Sequence, residues 1–432
     1  MTSKAAFAAP QGKFRHLLPV KRERRAEGAD SPEGEIVGCP DCGKIQTLPA
    51  RPGGGALRCV RCATVLEQMN GRNLDGALAC ALTTFLLLFP ANLLPILQVS
   101  ILSHVNRSIV LSGVEGIWRQ GWPFAAVVVG LEIVVLPFLR FGLLTLVLGT
   151  LRLGYHAPWL GPCFRWAERL DQWAMMDVFL FGSIVGYSRV APFLPIHIKA
   201  GGYCLIAAAL LTLITRATLE RRDLWRRIGP LPRGIVPKMI SCSSCDYPVP
   251  ATQEGSACPR CGDKIHRIHP YSAMRAMALT VAAFAFYPEA YLYPMEYSDR
   301  LDTLHGYSIM TGVAKLVQAN LYFFAAVVFV ASILIPLLKL FAFVWFGVSI
   351  HRGSTSRLRL KTKLFRVIDL IGRWSHIDVF TVAVFLPLMY LPGFLSVLVG
   401  NALPAFLAVV VLTMLASDFF DPRLLWQAGQ ER

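Results

Sequence analysis

The chain has 432 residues, of which 54% are hydrophobic and only 16% are charged, whereas an ordinary soluble domain carries about 25% charged residues. This composition excludes a string of soluble domains, because too little polar surface is present to cover them, and it indicates a membrane protein. The formal net charge of +16 is expected for loops that face anionic lipid, so no nucleic-acid partner is predicted.

The N-terminal region is basic and polar. Residues 1–36 contain the run Lys21, Arg22, Arg24 and Arg25, and we expect this segment to be a disordered tail. No stretch before residue 74 has the apolar core of a secretory signal, which predicts that the N terminus stays in the cytoplasm.

Two cysteine-rich segments follow, at residues 37–70 and 242–267. Eight of the 11 cysteines form CxxC pairs, which are Cys39/Cys42 with Cys59/Cys62 and Cys242/Cys245 with Cys258/Cys261. Two such pairs can place four thiolates around one tetrahedral Zn²⁺, so we expect two structural zinc ribbons with one ion each. Iron held by four thiolates and a redox-active CxxC stay open as alternatives, although a cytoplasmic location disfavours disulfides.

Hydropathy predicts eight membrane-spanning helices of about 20 residues each. They cover residues 75–98, 122–150, 175–196, 202–219, 272–295, 321–350, 377–399 and 402–420. The second and sixth spans contain Pro137 and Pro336, each followed by a basic residue, and we expect each proline to kink its helix.

Segments with many Lys and Arg residues alternate with segments that have few. Residues 151–173, 216–275 and 351–373 carry three, eleven and seven, while residues 99–121, 188–201, 296–320 and 391–402 carry two, two, two and none. Basic loops stay on the cytoplasmic side of a membrane. The asymmetry predicts a multi-pass protein with both termini in the cytoplasm.

A repeat of roughly 200 residues divides the chain. The motif Trp173-Ala-Met-Met-Asp177-Val-Phe recurs as Trp374-Ser-His-Ile-Asp378-Val-Phe, and the Pro137 segment recurs at Pro336. We therefore predict an all-α integral membrane protein built from tandem duplicated modules of four transmembrane helices, at residues 71–220 and 268–426. A four-cysteine zinc ribbon precedes each module, and residues 221–241 form the linker.

Ionisable residues inside apolar spans are costly and mark functional sites by default. In the second module, Lys339 and Asp378 lie at depths that suit an ion pair, and we expect Ser332 and Thr413 to complete a buried network whose protonation changes with state. Secondary candidates in the first module are Glu132, Arg140, Asp177 and Thr212. The second module is predicted to be the working half, because a lysine can lose its proton and an arginine cannot.

The same residues also have structural interpretations, which stay open. Ser375 and Asp378 fit a capping box, although Asp177 keeps the acid where Ala174 occupies the cap position. Lys339 near a helix end can extend its ammonium to the headgroups. A Ser or Thr in a span commonly bonds the backbone of its own helix.

The paired CxxC segments, the sequence Phe89-Pro-Ala-Asn-Leu-Leu-Pro95 and the repeated Trp-x-x-x-Asp-Val-Phe motif together resemble the paraquat-inducible protein A family of Gram-negative inner membranes. The resemblance runs from Cys39 to about Trp426. It implies an inner-membrane component of phospholipid transport between inner and outer membranes. The implied partner is a periplasmic MCE-domain tunnel protein of the PqiB or LetB type, at whose inner mouth lipid is loaded or unloaded.

The chain contains no Walker A motif, so ATP hydrolysis is not expected, and we predict that the protein is not an enzyme. Two other functions stay open. One is a membrane oxidoreductase that uses the CxxC thiols or a metal, and the other is a scaffold that anchors the tunnel partner without transporting lipid.

Overall fold

The structure, a computed structural model, describes residues 35–48, 56–68, 73–101, 104–191, 195–231, 238–300, 303–389 and 395–427. The tail predicted at residues 1–36 lies outside the described residues except for its last two positions. Part of the predicted linker is also outside them, while its first residues form a helix.

Most described residues lie in α-helices. In chain order they are α1 (Leu74–Leu93), α2 (Val110–Arg119), α3 (Pro123–Gly130), α4 (Leu136–Arg152), α5 (Leu160–Asp171), α6 (Met176–Val190), α7 (Ala200–Thr218), α8 (Arg221–Ile228), α9 (Ser272–Leu292), α10 (Ile309–Gln318), α11 (Tyr322–Phe329), α12 (Ile335–His351), α13 (Leu358–Gly372), α14 (Ile377–Leu388), α15 (Ala402–Phe419) and α16 (Arg423–Gln427). We call α1–α8 the first half and α9–α16 the second half.

Short strands complete the described structure. In chain order they are β1 (Glu35–Gly38), β2 (Ile45–Leu48), β3 (Ala56–Arg58), β4 (Val65–Gln68), β5 (Leu97–Ile101), β6 (His104–Ser108), β7 (Ile196–Ile198), β8 (Met239–Ser241), β9 (Pro248–Pro250), β10 (Glu296–Arg300), β11 (Thr303–Tyr307) and β12 (Leu395–Val399). Antiparallel pairs join β1 to β2, β3 to β4 and β8 to β9.

The prolines of the two long helices follow π-helical turns. One turn, Leu131–Val135, joins α3 to α4, and the other, Val330–Leu334, joins α11 to α12. Pro137 and Pro336 each lack an N–H and crowd the carbonyl four residues earlier. A π turn accommodates this defect while the helix continues, and such turns are frequent at functional sites.

Among the described residues, five helices are long and apolar enough to cross a membrane: Leu74–Leu93, Pro123–Arg152, Ala200–Thr218, Tyr322–His351 and Ala402–Phe419. The other three predicted spans differ from expectation. The helices α6 and α14 have only 15 and 12 residues, and α9 has 21 residues but is less apolar. Nearly every residue of α14 is buried, so this helix contacts protein rather than lipid.

Two three-stranded antiparallel sheets correct the all-α prediction. In one sheet β5 lies between β6 and β7, and in the other β10 lies between β11 and β12. The predicted span 377–399 therefore contains both α14 and the apolar strand β12, and the predicted span 175–196 ends at Ile196, the first residue of β7. Hydropathy misses this change because a short apolar strand and a helix end have the same composition.

The two halves meet along α6 and α14. Gly182 permits the close approach, since a Cβ there would lie 2.9 Å from Phe380 Cβ, and Thr381 Oγ1 donates a hydrogen bond of 3.1 Å to Gly182 O. Gly113 of α2 contacts α14 in the same way, because a Cβ at Gly113 would lie 2.0 Å from the Ala383 carbonyl oxygen.

The cysteine segments pack at the end of the helices opposite the three-stranded sheets, which we call the cysteine end. Ribbon 1 (residues 35–68) contributes Val37, Leu48 and Leu66 to an apolar cluster with Phe365 of α13 and Trp426 of α16. The ribbon thus packs its apolar side chains on the second half, although it precedes the first half in the sequence. Its Glu35 and Glu67 also pair with Arg226 of α8, at 2.7 and 2.6 Å.

Ribbon 2 (residues 239–265) packs on the first half instead. A Cβ at Gly161 of α5 would lie 1.9 Å from the Arg260 carbonyl oxygen, and Arg169 of α5 pairs with Asp263 at 2.6 Å. The sequence-based assignment of each ribbon to the helices that follow it does not describe this packing. A sequence repeat does not show on which half of the protein each ribbon packs.

Candidate functional site

Each ribbon holds four buried cysteines whose sulfur atoms lie within 4.8 Å of one another. In ribbon 1, the Sγ atoms of Cys39 and Cys62 are 3.4 Å apart and those of Cys42 and Cys59 are 3.6 Å apart. In ribbon 2 the corresponding separations are 3.6 Å for both pairs. Four sulfurs around a tetrahedral zinc with bonds of about 2.3 Å are about 3.8 Å apart. The arrangement therefore fits a metal ion.

The turns around the cysteines are alike in all four CxxC pairs. The residue after each second cysteine is left-handed: Gly43 (φ 67), Ala63 (φ 59), Asp246 (φ 57) and Gly262 (φ 71). Its N–H bonds the carbonyl of the first cysteine, as Gly43 does to Cys39 at 3.0 Å. Glycine adopts this conformation without strain at Gly43 and Gly262, and Ala63 and Asp246 adopt it at a small steric cost.

The predicted second-half residues are all buried, with exposures of 0% for Ser332, 1% for Lys339, 4% for Asp378 and 1% for Thr413. Among the described residues, Lys339 Nζ and Ser332 Oγ have no hydrogen-bond partner. The Thr413 hydroxyl donates to Val410 O of its own helix at 2.9 Å, as Thr212 does to Ala208 O at 2.8 Å. The four side chains do not form one hydrogen-bonded network here.

The carboxylates of Asp369 and Asp418 act on the charge of Lys339. The ion pair between Lys339 and Asp378 stays a prediction. Burial raises the pKa of Asp369, against the lowering effect of Lys339. The depth argument from the sequence did not identify Asp369 and Asp418 as neighbours of the lysine.

The side chain of Ser375 takes no part in a capping box with Asp378. The helix α14 begins at Ile377 with His376 as its N-cap and without a side-chain cap, and Ser375 Oγ has no hydrogen-bond partner among the described residues. A 3₁₀ turn at Arg373–His376 occupies the place where the capping geometry would begin.

Two of the first-half candidates, Arg140 and Asp177, belong to a dense ionic cluster at the cysteine end. Arg140 pairs with Asp171, and Arg216 lies 2.9 Å from Asp171 and 2.7 Å from Asp177. Burial alone would raise the pKa of Asp171, but Arg140 and Arg216 lower it below its ordinary value. Arg373 of the second half also approaches Asp177, at 3.9 Å.

The two halves differ at the residue next to the basic side chain that follows the repeated proline, which is Arg140 in the first half and Lys339 in the second. Asp171 ends α5 two residues before Trp173, and Gly372 ends α13 two residues before Trp374. A Cβ at Gly372 would lie 2.4 Å from Lys339 Nζ. The lysine ammonium therefore lies where the first half has an acidic side chain paired with its arginine.

Glu132 was a candidate from the sequence, but its buried neighbour His376 was not. Glu132 of the first π turn lies 3.1 Å from His376 Nε2, with side-chain exposures of 2% and 0%. The approach does not meet hydrogen-bond geometry, so both groups lack a hydrogen-bond partner among the described residues. The signal for His376 was its place in the repeated motif, where the first half has Met175.

Comparison with known proteins identifies relatives along almost the whole chain. It is 28% identical over 417 residues, 96% of each chain, to "Lipophilic envelope-spanning tunnel protein A" of Escherichia coli (strain K12). It is 28% identical over 409 residues, 91% of this chain and 96% of the relative, to "Intermembrane transport protein PqiA" of the same organism. It is 26% identical over 419 residues to a "Probable intermembrane transport protein" of Haemophilus influenzae, covering 92% of this chain and 97% of that one.

No solved structure matches the chain. The model of the family described as "Paraquat-inducible protein A" matches twice, at residues 74–229 and 273–430. These two matches cover more than half of the chain and correspond to the two halves of the structure. The chain belongs to the paraquat-inducible protein A family.

Proposed function

We propose that this chain is the inner-membrane component of an MCE-type phospholipid transport system that connects the inner and outer membranes of a bacterium. It loads or unloads lipid at the mouth of a periplasmic MCE-domain tunnel protein. The names of the relatives, which speak of intermembrane transport and of an envelope-spanning tunnel, support this function. They also make a non-enzymatic role the better interpretation.

The proposed topology keeps eight helical crossings and both termini in the cytoplasm. The helix α14 crosses as an interior helix, because nearly all of its residues are buried, whereas α6 exposes Phe181, Ile184 and Tyr187. The Lys and Arg asymmetry of the loops supports this orientation. The cysteine end then faces the cytoplasm, and the two small sheets face the tunnel partner.

Zinc is the metal that we propose for both clusters, because four thiolates in a closed tetrahedron suit it. Cys39, Cys42, Cys59 and Cys62 would hold one ion, and Cys242, Cys245, Cys258 and Cys261 the other. A bound ion with four protein ligands stabilises the ribbon and leaves no open position for a substrate, so the role is structural.

The second half is proposed to do the work of transport because Gly372 provides no acidic side chain beside Lys339. In the first half Asp171 neutralises Arg140, whereas Lys339 is buried and has no hydrogen-bond partner among the described residues. A buried ammonium without such a partner releases its proton more readily than one that is paired. We propose that Lys339 exchanges a proton during the transport cycle and alternates between the Asp369/Asp418 side and Asp378.

The substitution Gly372→Asp tests this role by giving Lys339 the counterion that Arg140 has. We expect the variant to fold, since a new buried ion pair replaces an unpaired charge, and to lose phospholipid transfer in proteoliposomes supplied with the tunnel partner. The control Thr355→Asp adds the same charge at an exposed position between α12 and α13. Transfer at the wild-type rate by Gly372→Asp contradicts a working role for an unpaired lysine.

The two alternative functions predict different results. A thiol oxidoreductase needs reactive cysteines in the native protein, so retention of two zinc ions per chain without thiol reactivity excludes it. A passive scaffold predicts that Lys339→Ala and Asp378→Asn bind the tunnel partner and also support transfer.

A further inference from the structure

A cleft of about 700 Å³ opens at the cysteine end, where both halves and both ribbons meet. Its lining includes seven arginines and four carboxylates, so its charge is positive overall. Volumes of this size are typical of small-molecule sites. The cleft shares Asp418 with the proton exchange proposed above, but its arginines take no part in that exchange, and the inference stands whether or not that role is correct.

Three arginines from different elements bring unsatisfied donors to the cleft. Arg140 of α4 is 4% exposed, and its Nη1 has no hydrogen-bond partner among the described residues although its Nη2 pairs with Asp171. The Nε atoms of Arg165 in α5 and of Arg373 before α14 are likewise buried without an acceptor.

Unsatisfied buried donors are expensive, and charged ones more so. The carboxylates of the cleft do not meet this need, because Asp171 is already shared between Arg140 and Arg216 and Asp418 accepts from Trp173 Nε1 at 3.0 Å. An additional acceptor with several oxygens would satisfy the arginines together.

We propose that the cleft binds a phosphate-class anion held by Arg140, Arg165 and Arg373. Guanidinium groups bind phosphate through parallel N–H donors, which makes arginine the residue of choice for this ligand. The phosphate comes either from a phospholipid headgroup that enters from the membrane or from a soluble phosphate compound, and the chemistry at the arginines is the same.

The experiment uses the purified full-length protein in detergent, with its metal, and titrates inorganic phosphate while NaCl keeps the ionic strength constant. We expect a saturable rise in the midpoint of thermal unfolding. Arg165→Gln and Arg373→Gln should each weaken the apparent affinity by about ten- to hundredfold, as expected for a charge-assisted hydrogen bond. Arg140→Lys keeps the charge, loses Nη1 and should also weaken binding.

The matched control is Arg152→Gln, because Arg152 is exposed and pairs with Asp75 outside the cleft. It should bind phosphate like the wild type. A second series replaces phosphate by detergent-dispersed phosphatidylglycerol. Stabilisation by phosphate but not by the lipid assigns a soluble source, and stabilisation by the lipid assigns a headgroup. A midpoint that follows ionic strength only, or equal affinity in all four variants, overturns the site.

Discussion

Replacing Cys39 and Cys62 by serine should loosen the second half of the protein rather than the first. The reason is that ribbon 1, which depends on its four thiolates for metal binding, packs its apolar side chains on α13 and α16. Without the metal a small ribbon of this kind unfolds. The helices that it covers then lose their contacts.

The size of the effect follows from the side chains that leave the interface. Val37, Leu48 and Leu66 are 3%, 5% and 5% exposed, and each fully buried side chain of this type contributes about 1.5–3 kcal/mol. Loss of all three therefore costs on the order of 5–9 kcal/mol as an upper bound. The ion pair between Arg366 and Asp41, at 2.5 Å, disappears with them.

Hydrogen exchange measured by mass spectrometry separates the two halves. We expect faster exchange at residues 358–372 and 423–427 in the double variant and unchanged exchange at residues 160–171. The control Cys80→Ser removes a half-buried cysteine outside the clusters and should leave both regions unchanged. Faster exchange at residues 160–171 alone would refute the packing of ribbon 1 on the second half.

Three further substitutions test other contacts. Gly113→Ala should destabilise the protein by about 1–3 kcal/mol in a thermal unfolding scan, because its Cβ would overlap Ala383 O. The control Gly149→Ala meets no described atom within 4 Å and should be neutral or stabilising. Arg423→Gln should increase proteolysis of both ribbons, since Arg423 bonds Pro40 O at 3.1 Å and Ser241 O at 3.0 Å; equal resistance to protease contradicts this bridge. Glu132→Ala should lower the midpoint of thermal unfolding, because it leaves the buried His376 without the polar group that lies 3.1 Å from its Nε2; an unchanged midpoint contradicts this contact.

The sequence predicted those features that depend on local chemistry. The CxxC spacing located both cysteine clusters, and Pro137 and Pro336 located the helix irregularities that are π turns in the structure. Each of these signals arises from a few neighbouring residues whose geometry is fixed by covalent structure or metal preference.

Features that depend on contacts between distant segments could not be predicted. The strand β12 continues an apolar segment, and its pairing with β10 supplies hydrogen bonds that hydropathy does not measure. The partners of Lys339 depend on the end of α13, where Gly372 removes a side chain that the first half retains. His376 becomes notable only when Glu132, from the other half, lies beside it.

The most direct test of the proposed function is phospholipid transfer from proteoliposomes that contain the full chain, through the MCE-domain partner, to acceptor vesicles. We predict that transfer of a labelled phospholipid requires both proteins. Lys339→Ala should lower it to the background rate while partner binding is retained, and Lys363→Ala, which changes an exposed lysine of α13, should transfer lipid normally. Wild-type transfer by Lys339→Ala, or equal transfer by the tunnel protein alone, would contradict the account.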